Sequence, residues 1–183
     1  MKNINWNDVQ EETFSKLTKG GYICKIVSVE DVESEEYLNV EIDISEGPFA
    51  HYFQSGFEKY GAWPFAGHLR RYYGQKSLGY FKAFISALEK SNRGFTWTAA
   101  VNANPKLIVG LEIGVVFGEK EYISTKDGGV KCSLSPFYVC STQTIEDGSF
   151  SVPERKTVSQ ASNAAAPAPS FAQLDEDDGD LPF

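Results

Sequence analysis

The stretch His-Leu-Arg-Arg-Tyr-Tyr-Gly at residues 68–74 sets two adjacent guanidinium groups before two adjacent phenol rings. Neighbouring residues on a strand face opposite sides, so either register displays one arginine and one tyrosine on the same solvent face. A cation beside a flat ring can hold a phosphate while the ring stacks on an unpaired base. The surrounding segment is built alike. Residues 49–110 carry eight Lys and Arg against only Glu58 and Glu89, with fourteen of the chain's twenty-five Phe, Tyr and Trp. The candidate contacts to a single strand are therefore Arg70, Arg71, Tyr72, Tyr73, Lys76, Lys59, Tyr60, Trp63, Phe53, Arg93 and Trp97. Lys126 and Lys131 join them from a later turn. Phe81 and Phe84 fall at helical spacing and read as core instead.

The net charge of −8 over 183 residues opposes a nucleic-acid partner only as a sum. Residues 1–48 hold four lysines against eleven acids, and the last ten hold five acids and no base. Segregation of this kind leaves a basic middle available. Catalytic constellations are not legible. His51 and His68 lie seventeen residues apart and form no zinc spacing with a cysteine, while Cys132 and Cys140 are eight apart. Phosphate-loop, nucleophile-elbow and His-Glu-x-x-His patterns do not occur. Asp31, Glu33, Glu35 and Glu36 read as a solvated hairpin tip rather than a metal-dependent nuclease cluster. The expectation is a non-enzymatic binding protein without metal or cofactor.

The elements that must position these side chains follow from periodicity. Residues 20–31 start at a Gly pair and are β-branched, so they form a strand. In 37–45, Leu38, Val40, Ile42 and Ile44 alternate with Tyr37, Asn39, Glu41 and Asp43, predicting a strand with an acidic outer face. Pro48 ends it, an irregular aromatic stretch follows, and 68–73 forms a short third strand. Residues 77–92 make the one helix, with Ser77 as N-cap and apolar residues over a wide arc that demands burial. Residues 111–123 and 130–141 flank a turn at Asp127-Gly128 and form a hairpin. The acidic face of the second strand would repel phosphates, which directs contacts to the third strand, 49–66 and 124–131.

This order, β-β-β-α-β-β, predicts a mainly β protein with one helix: a five-stranded OB-fold Greek-key barrel, which binds oligonucleotides on its strand 2–3 face and in its 1–2 and 4–5 loops. The domain occupies residues 1–153. Residues 154–173 are rich in Ala, Ser and Pro and predict a flexible, disordered linker. The acidic tail 174–183 follows. Cys24, Cys132 and Cys140 are expected as buried free thiols of a reducing cytoplasm. The opening residues lack the apolar core of a secretory signal, and no apolar stretch reaches membrane-spanning length.

The tail ends in Leu181, Pro182 and Phe183 after Asp175, Glu176, Asp177, Asp178 and Asp180. An apolar ring after carboxylates reads as a docking handle, the ring entering a partner's pocket and the acids steering toward a basic rim. The run DEDDGDLPF resembles the terminal peptide of bacterial and phage single-stranded DNA-binding proteins, which dock polymerases, helicases and repair enzymes. The segments YLNVEIDISEG, SLGYFKAFISALEKSN and VGLEIGVVFGEKEYI resemble a phage replication-module family associated with single-strand binding, over roughly residues 14–155. That resemblance implies an OB barrel and a role in phage DNA replication or recombination. It transfers no catalytic residue.

The expected function is sequence-tolerant single-strand binding in the bacterial cytoplasm. The tail would recruit a polymerase, helicase, primase or recombinase, no membrane is involved, and a homo-oligomer is compatible with the reading. The rival is an adaptor or inhibitor that occupies host proteins through the tail and never touches DNA.

Overall fold

The computed structural model describes residues 16–158. Within them, the alternation in the second strand becomes a wall of the core: Leu38, Val40, Ile42 and Ile44 are at most 2% exposed. Five strands, β1 (Gly20–Val32), β2 (Tyr37–Ile44), β3 (His68–Tyr72), β4 (Glu112–Ile123) and β5 (Val130–Cys140), form one open antiparallel sheet in the order β3-β2-β1-β4-β5. The protein is mainly β, as expected.

One long strand serves two neighbours. Gly20–Lys25 of β1 pair with β4, whereas Cys24–Val32 pair with β2. Register slips between Ile26 and Ser28, and the extra residue, Val27, is exposed. A bulge bends its strand and sharpens the twist, which lets the two halves of β1 face different partners. The backbone at this point is satisfied from outside the ladder: Ile26 N–H donates to Leu111 O at 2.9 Å, and Gly110 N–H donates to Ile26 O at 2.8 Å.

The expectation of a single helix is corrected. Besides α2 (Leu78–Ser91), the chain forms α1 (Tyr52–Tyr60), α3 (Ala99–Ala103) and α4 (Thr142–Glu146). The stretch read as irregular contains α1, which begins where it does because Asp43 of β2 reaches across to it. Its Oδ1 accepts from Phe53 N–H and Ile44 N–H, both at 2.9 Å. Asp43 is therefore buried rather than part of an acidic outer face. Ser77 precedes α2, but its side chain makes no capping bond; a 3-10 turn, Gln75–Ser77, leads into the helix instead. Only Phe84, Ala87 and Leu88 of α2 are buried, and Tyr80 is 80% exposed, because the helix meets the sheet along one side.

Beyond Phe117, β4 outruns β1 and continues with β5 as a two-stranded arm. An unpaired strand edge invites pairing with other chains. Here the segment read as the start of the linker covers it. Lys156 N–H donates to Glu119 O at 3.0 Å, Glu121 N–H donates to Lys156 O at 2.9 Å, and Arg155 Nη2 lies 2.8 Å from Glu119 Oε2. Residues 154–158 are thus docked along β4.

All three cysteines are free, but only Cys24 is buried. Cys140 is half-buried, and Cys132 is exposed on the arm. Burial pushes the Cys24 thiol well above its ordinary pKa, with the charge of Asp43 adding to the effect. Among the described residues no helix is long and apolar enough to cross a membrane.

Candidate nucleic-acid interface

Register decides which of the paired arginines and tyrosines face outward. Tyr37 lies opposite Tyr72, Asn39 opposite Arg70 and Glu41 opposite His68, so these six share one face. Leu38 opposite Arg71 and Val40 opposite Leu69 share the other, which is the core face. Arg70 and Tyr72 are the outward cation and ring. The Arg70 guanidinium carbon stands 5.6 Å from the centre of the Tyr37 ring, and that ring is 5.1 Å from Tyr72.

Arg71 and Tyr73 turn the other way: Tyr73 is a brace rather than a surface contact, whereas Arg71 still borders the cleft described below. The Arg71 guanidinium packs 5.8 Å from the Phe84 ring centre, and among the described residues its covered Nε has no hydrogen-bond partner. Burial pulls its pKa down to about 10, which leaves it charged at neutral pH. Tyr73 packs against Phe81 and donates its hydroxyl to Asp31 Oδ1 at 2.7 Å. That bond, then burial and the charges of Asp31, Glu33 and Glu36, push the phenol up to about 12. Tyr73 braces the end of β3 against the end of β1.

Where β3 and β5 form the two edges of the sheet, they leave between them a cleft of about 540 Å³. Arg70, Arg71, Lys120, Lys156 and His68 bring basic groups to it, and Tyr37, Trp63, Phe65 and Phe137 bring rings. No described residue lining it is acidic. Glu41 shares the β2–β3 face, and its Oε1 is 3.9 Å from His68 Nδ1. Two rings sit directly on glycines. A Cβ on Gly67 would come within 2.5 Å of Trp63 Nε1, and one on Gly118 within 2.8 Å of the Phe137 ring. The Trp63 indole also donates to Gly67 O at 3.3 Å. Phe65, on the turn Phe65–Gly67 that packs against β5, is 73% exposed.

The arm extends the cleft. Gly118 lies opposite Ser135, Lys120 opposite Ser133 and Tyr122 opposite Lys131, so Lys120, Tyr122 and Lys131 share one face. Glu119 and Glu121 lie on the other, beside Arg155. Lys131 Nζ is 2.9 Å from Asp127 Oδ2 across the turn, and Lys126 is exposed at its tip. The Asp127-Gly128 turn forms with Gly128 at φ +66°, as expected.

The remaining candidates do not meet at the cleft. Phe53 is fully buried and packs on Phe117, so it is core rather than a stacking ring. Trp97 is half-buried against Phe81 and Phe84, with its indole donating to Asn102 Oδ1 at 2.7 Å. It braces α2. Arg93 is exposed just past that helix. Lys76 borders a separate hollow with Tyr72, Glu35 and Glu36. Lys59 and Tyr60 are exposed at the end of α1, 5.9 Å apart from ammonium to ring centre. Asp175, Glu176, Asp177, Asp178, Asp180, Leu181, Pro182 and Phe183 lie outside the described residues.

Tyr37, Phe65, Lys120, Phe137 and Lys156 were missed from sequence. Tyr37 stood on the correct strand face and carried a usable signal. Lys156 sits in a segment whose composition reads as linker, so nothing pointed to it. Comparison of the chain with protein-family models yields no match, and comparison with curated proteins yields none. The geometry alone characterises the site: a basic, ring-lined cleft between two strand edges.

Proposed function

We propose that this protein binds single-stranded DNA without catalysis and with little sequence preference. The observation that carries the reading is the β3–β5 cleft, which gathers Arg70, Arg71, Lys120, Lys156 and four aromatic rings, with no acid among the described residues that line it, in a chain of net charge −8. Cations follow phosphates and rings stack on any base, so such a surface is tolerant of sequence. The strand order β3-β2-β1-β4-β5, with α2 after the third strand, supports an OB-fold read as a partly open barrel whose seam lies between β3 and β5. The arm then corresponds to the hairpin between the fourth and fifth strands that such folds use for binding.

Within this reading the protein coats strands during phage DNA replication and recombination in a bacterial cytoplasm. The acidic run 174–183 recruits polymerase, helicase, primase or recombinase partners, a role that rests on its sequence alone. The deciding measurement is quenching of tryptophan fluorescence by poly-dT, with duplex DNA as competitor. Saturable quenching, with duplex binding much more weakly, is expected. Equal affinity for duplex and single strand would remove the stacking argument, and absence of binding would overturn the reading.

A further inference from the structure

We infer that the β3–β5 cleft is a pocket for a single nucleotide, taking one phosphate onto Arg71 and one base against the rings of Trp63 and Phe137. The inference rests on the single-strand reading and makes it more specific. A surface that only tracks a backbone needs cations at exposed positions, and Arg70, Lys120 and Lys131 suffice for that. It does not need a guanidinium drawn in against Phe84 with its Nε covered and, among the described residues, unpaired. A covered donor without a partner is uncommon because leaving it unmade is costly. Arg71 also borders the cleft, so an entering oxyanion meets its guanidinium there. Guanidinium forks match phosphate oxygens in geometry as well as charge.

The rings point to a nucleotide rather than a bare anion. Phe137 and Trp63 rest on Gly118 and Gly67, where any side chain would collide with them. They are seated surfaces, fixed before a ligand arrives, which lowers the ordering cost of binding. The volume of about 540 Å³ lies within the range of small-ligand sites, roughly 300–1,000 Å³, and suits one nucleotide rather than a run of them. Turning one base out of the stack into a pocket costs least on a strand that is already single.

The test adds dTMP, thymidine or inorganic phosphate to the intact protein and follows the Arg71 Nε–H and Trp63 indole signals by NMR, with poly-dT titrated in parallel. Expected is that dTMP moves both signals and binds at least tenfold more tightly than thymidine or phosphate. An Arg71→Gln variant that remains folded should lose at least tenfold in dTMP affinity. Should Arg71→Gln fail to fold, Lys120→Gln and the wild-type Arg71 signal carry the test. If poly-dT binds while dTMP leaves the Arg71 signal unmoved, the pocket is wrong and the single-strand reading stands. If phosphate alone equals dTMP, the base is not recognised and the inference also falls. Failure of poly-dT itself would instead overturn the broader reading.

Discussion

The Arg70 guanidinium carbon lies 5.6 Å from the centre of the Tyr37 ring, and Tyr72 flanks the same ring at 5.1 Å. Tyr37 is nearly covered as a result, while Tyr72 remains 44% exposed. The stack holds the cation in place before any phosphate arrives, reducing the side-chain entropy lost on binding. Arg70→Ala should therefore weaken poly-dT binding and flatten the plot of log affinity against log salt by about 0.7. Tyr72→Ala should weaken binding by about 1–3 kcal/mol with the slope unchanged. Titrations at four salt concentrations separate the two effects, and no change in either variant would place the strand elsewhere.

Tyr73 behaves differently from its neighbour because its hydroxyl is committed to Asp31. Its folded-state pKa of about 12 exceeds the ordinary 10.0, so its stabilising contribution is complete below pH 10 and fades as pH rises through 12. Tyr73→Phe should lower the melting temperature at neutral pH by at most roughly 2–4 °C, the shift expected for one hydrogen bond in a domain of this size. The gap between the two proteins should close between pH 10 and 12. DNA affinity should not change, and a large loss in a folded variant would return Tyr73 to the interface.

Gly118 gives a sharper structural test. An added methyl would meet the Phe137 ring at 2.8 Å, and Phe137 has β4 beneath it. Gly118→Ala should cost about 1–3 kcal/mol in urea denaturation through overpacking and should weaken single-strand binding by displacing the ring. Unchanged stability and affinity together would show that Phe137 has room to move and is not a seated part of the cleft.

The docked segment after Pro153 should matter as well. Ending the chain at 153 removes the two backbone hydrogen bonds of Lys156, its charge in the cleft and the Arg155–Glu119 pair. We expect a loss of about 1–3 kcal/mol relative to a chain ending at 158, with a raised tendency to self-associate through the bare β4 edge. Denaturation and light scattering on the two truncations check this.

The acidic run yields a separable pair of outcomes. Deleting 174–183 removes five side-chain negative charges and should preserve or tighten DNA binding, most at low salt, since tethered acids compete for the basic cleft. Phe183→Ala keeps those charges, so it should leave DNA affinity alone while abolishing capture of purified polymerase or helicase subunits. Equal capture by both forms would reduce the run to a solvating tail.

Strand existence was legible because burial of one sheet face writes a period of two into the residues. The alternation from Leu38 to Ile44 predicted 37–45, and β2 occupies Tyr37–Ile44. The helix predicted over 77–92 occupies Leu78–Ser91 for the corresponding reason at a period near 3.6. Helix α1 was not legible: its start depends on the Asp43 carboxylate ten residues upstream, and only Phe53 and Gly56 of its nine residues are buried. The pairing of a cation with a ring near residues 70–73 was set by adjacency alone, whichever way the strand faced. That Arg70 and Tyr72 face outward, while Arg71 lies on Phe84, was decided by the pairing of β3 with β2, since a shift of one residue exchanges the faces. The cleft is wholly a tertiary fact. Its walls, β3 and β5, are separated in sequence by α2, α3 and β4 and lie at opposite edges of the sheet, so no local sequence pattern brings their residues together.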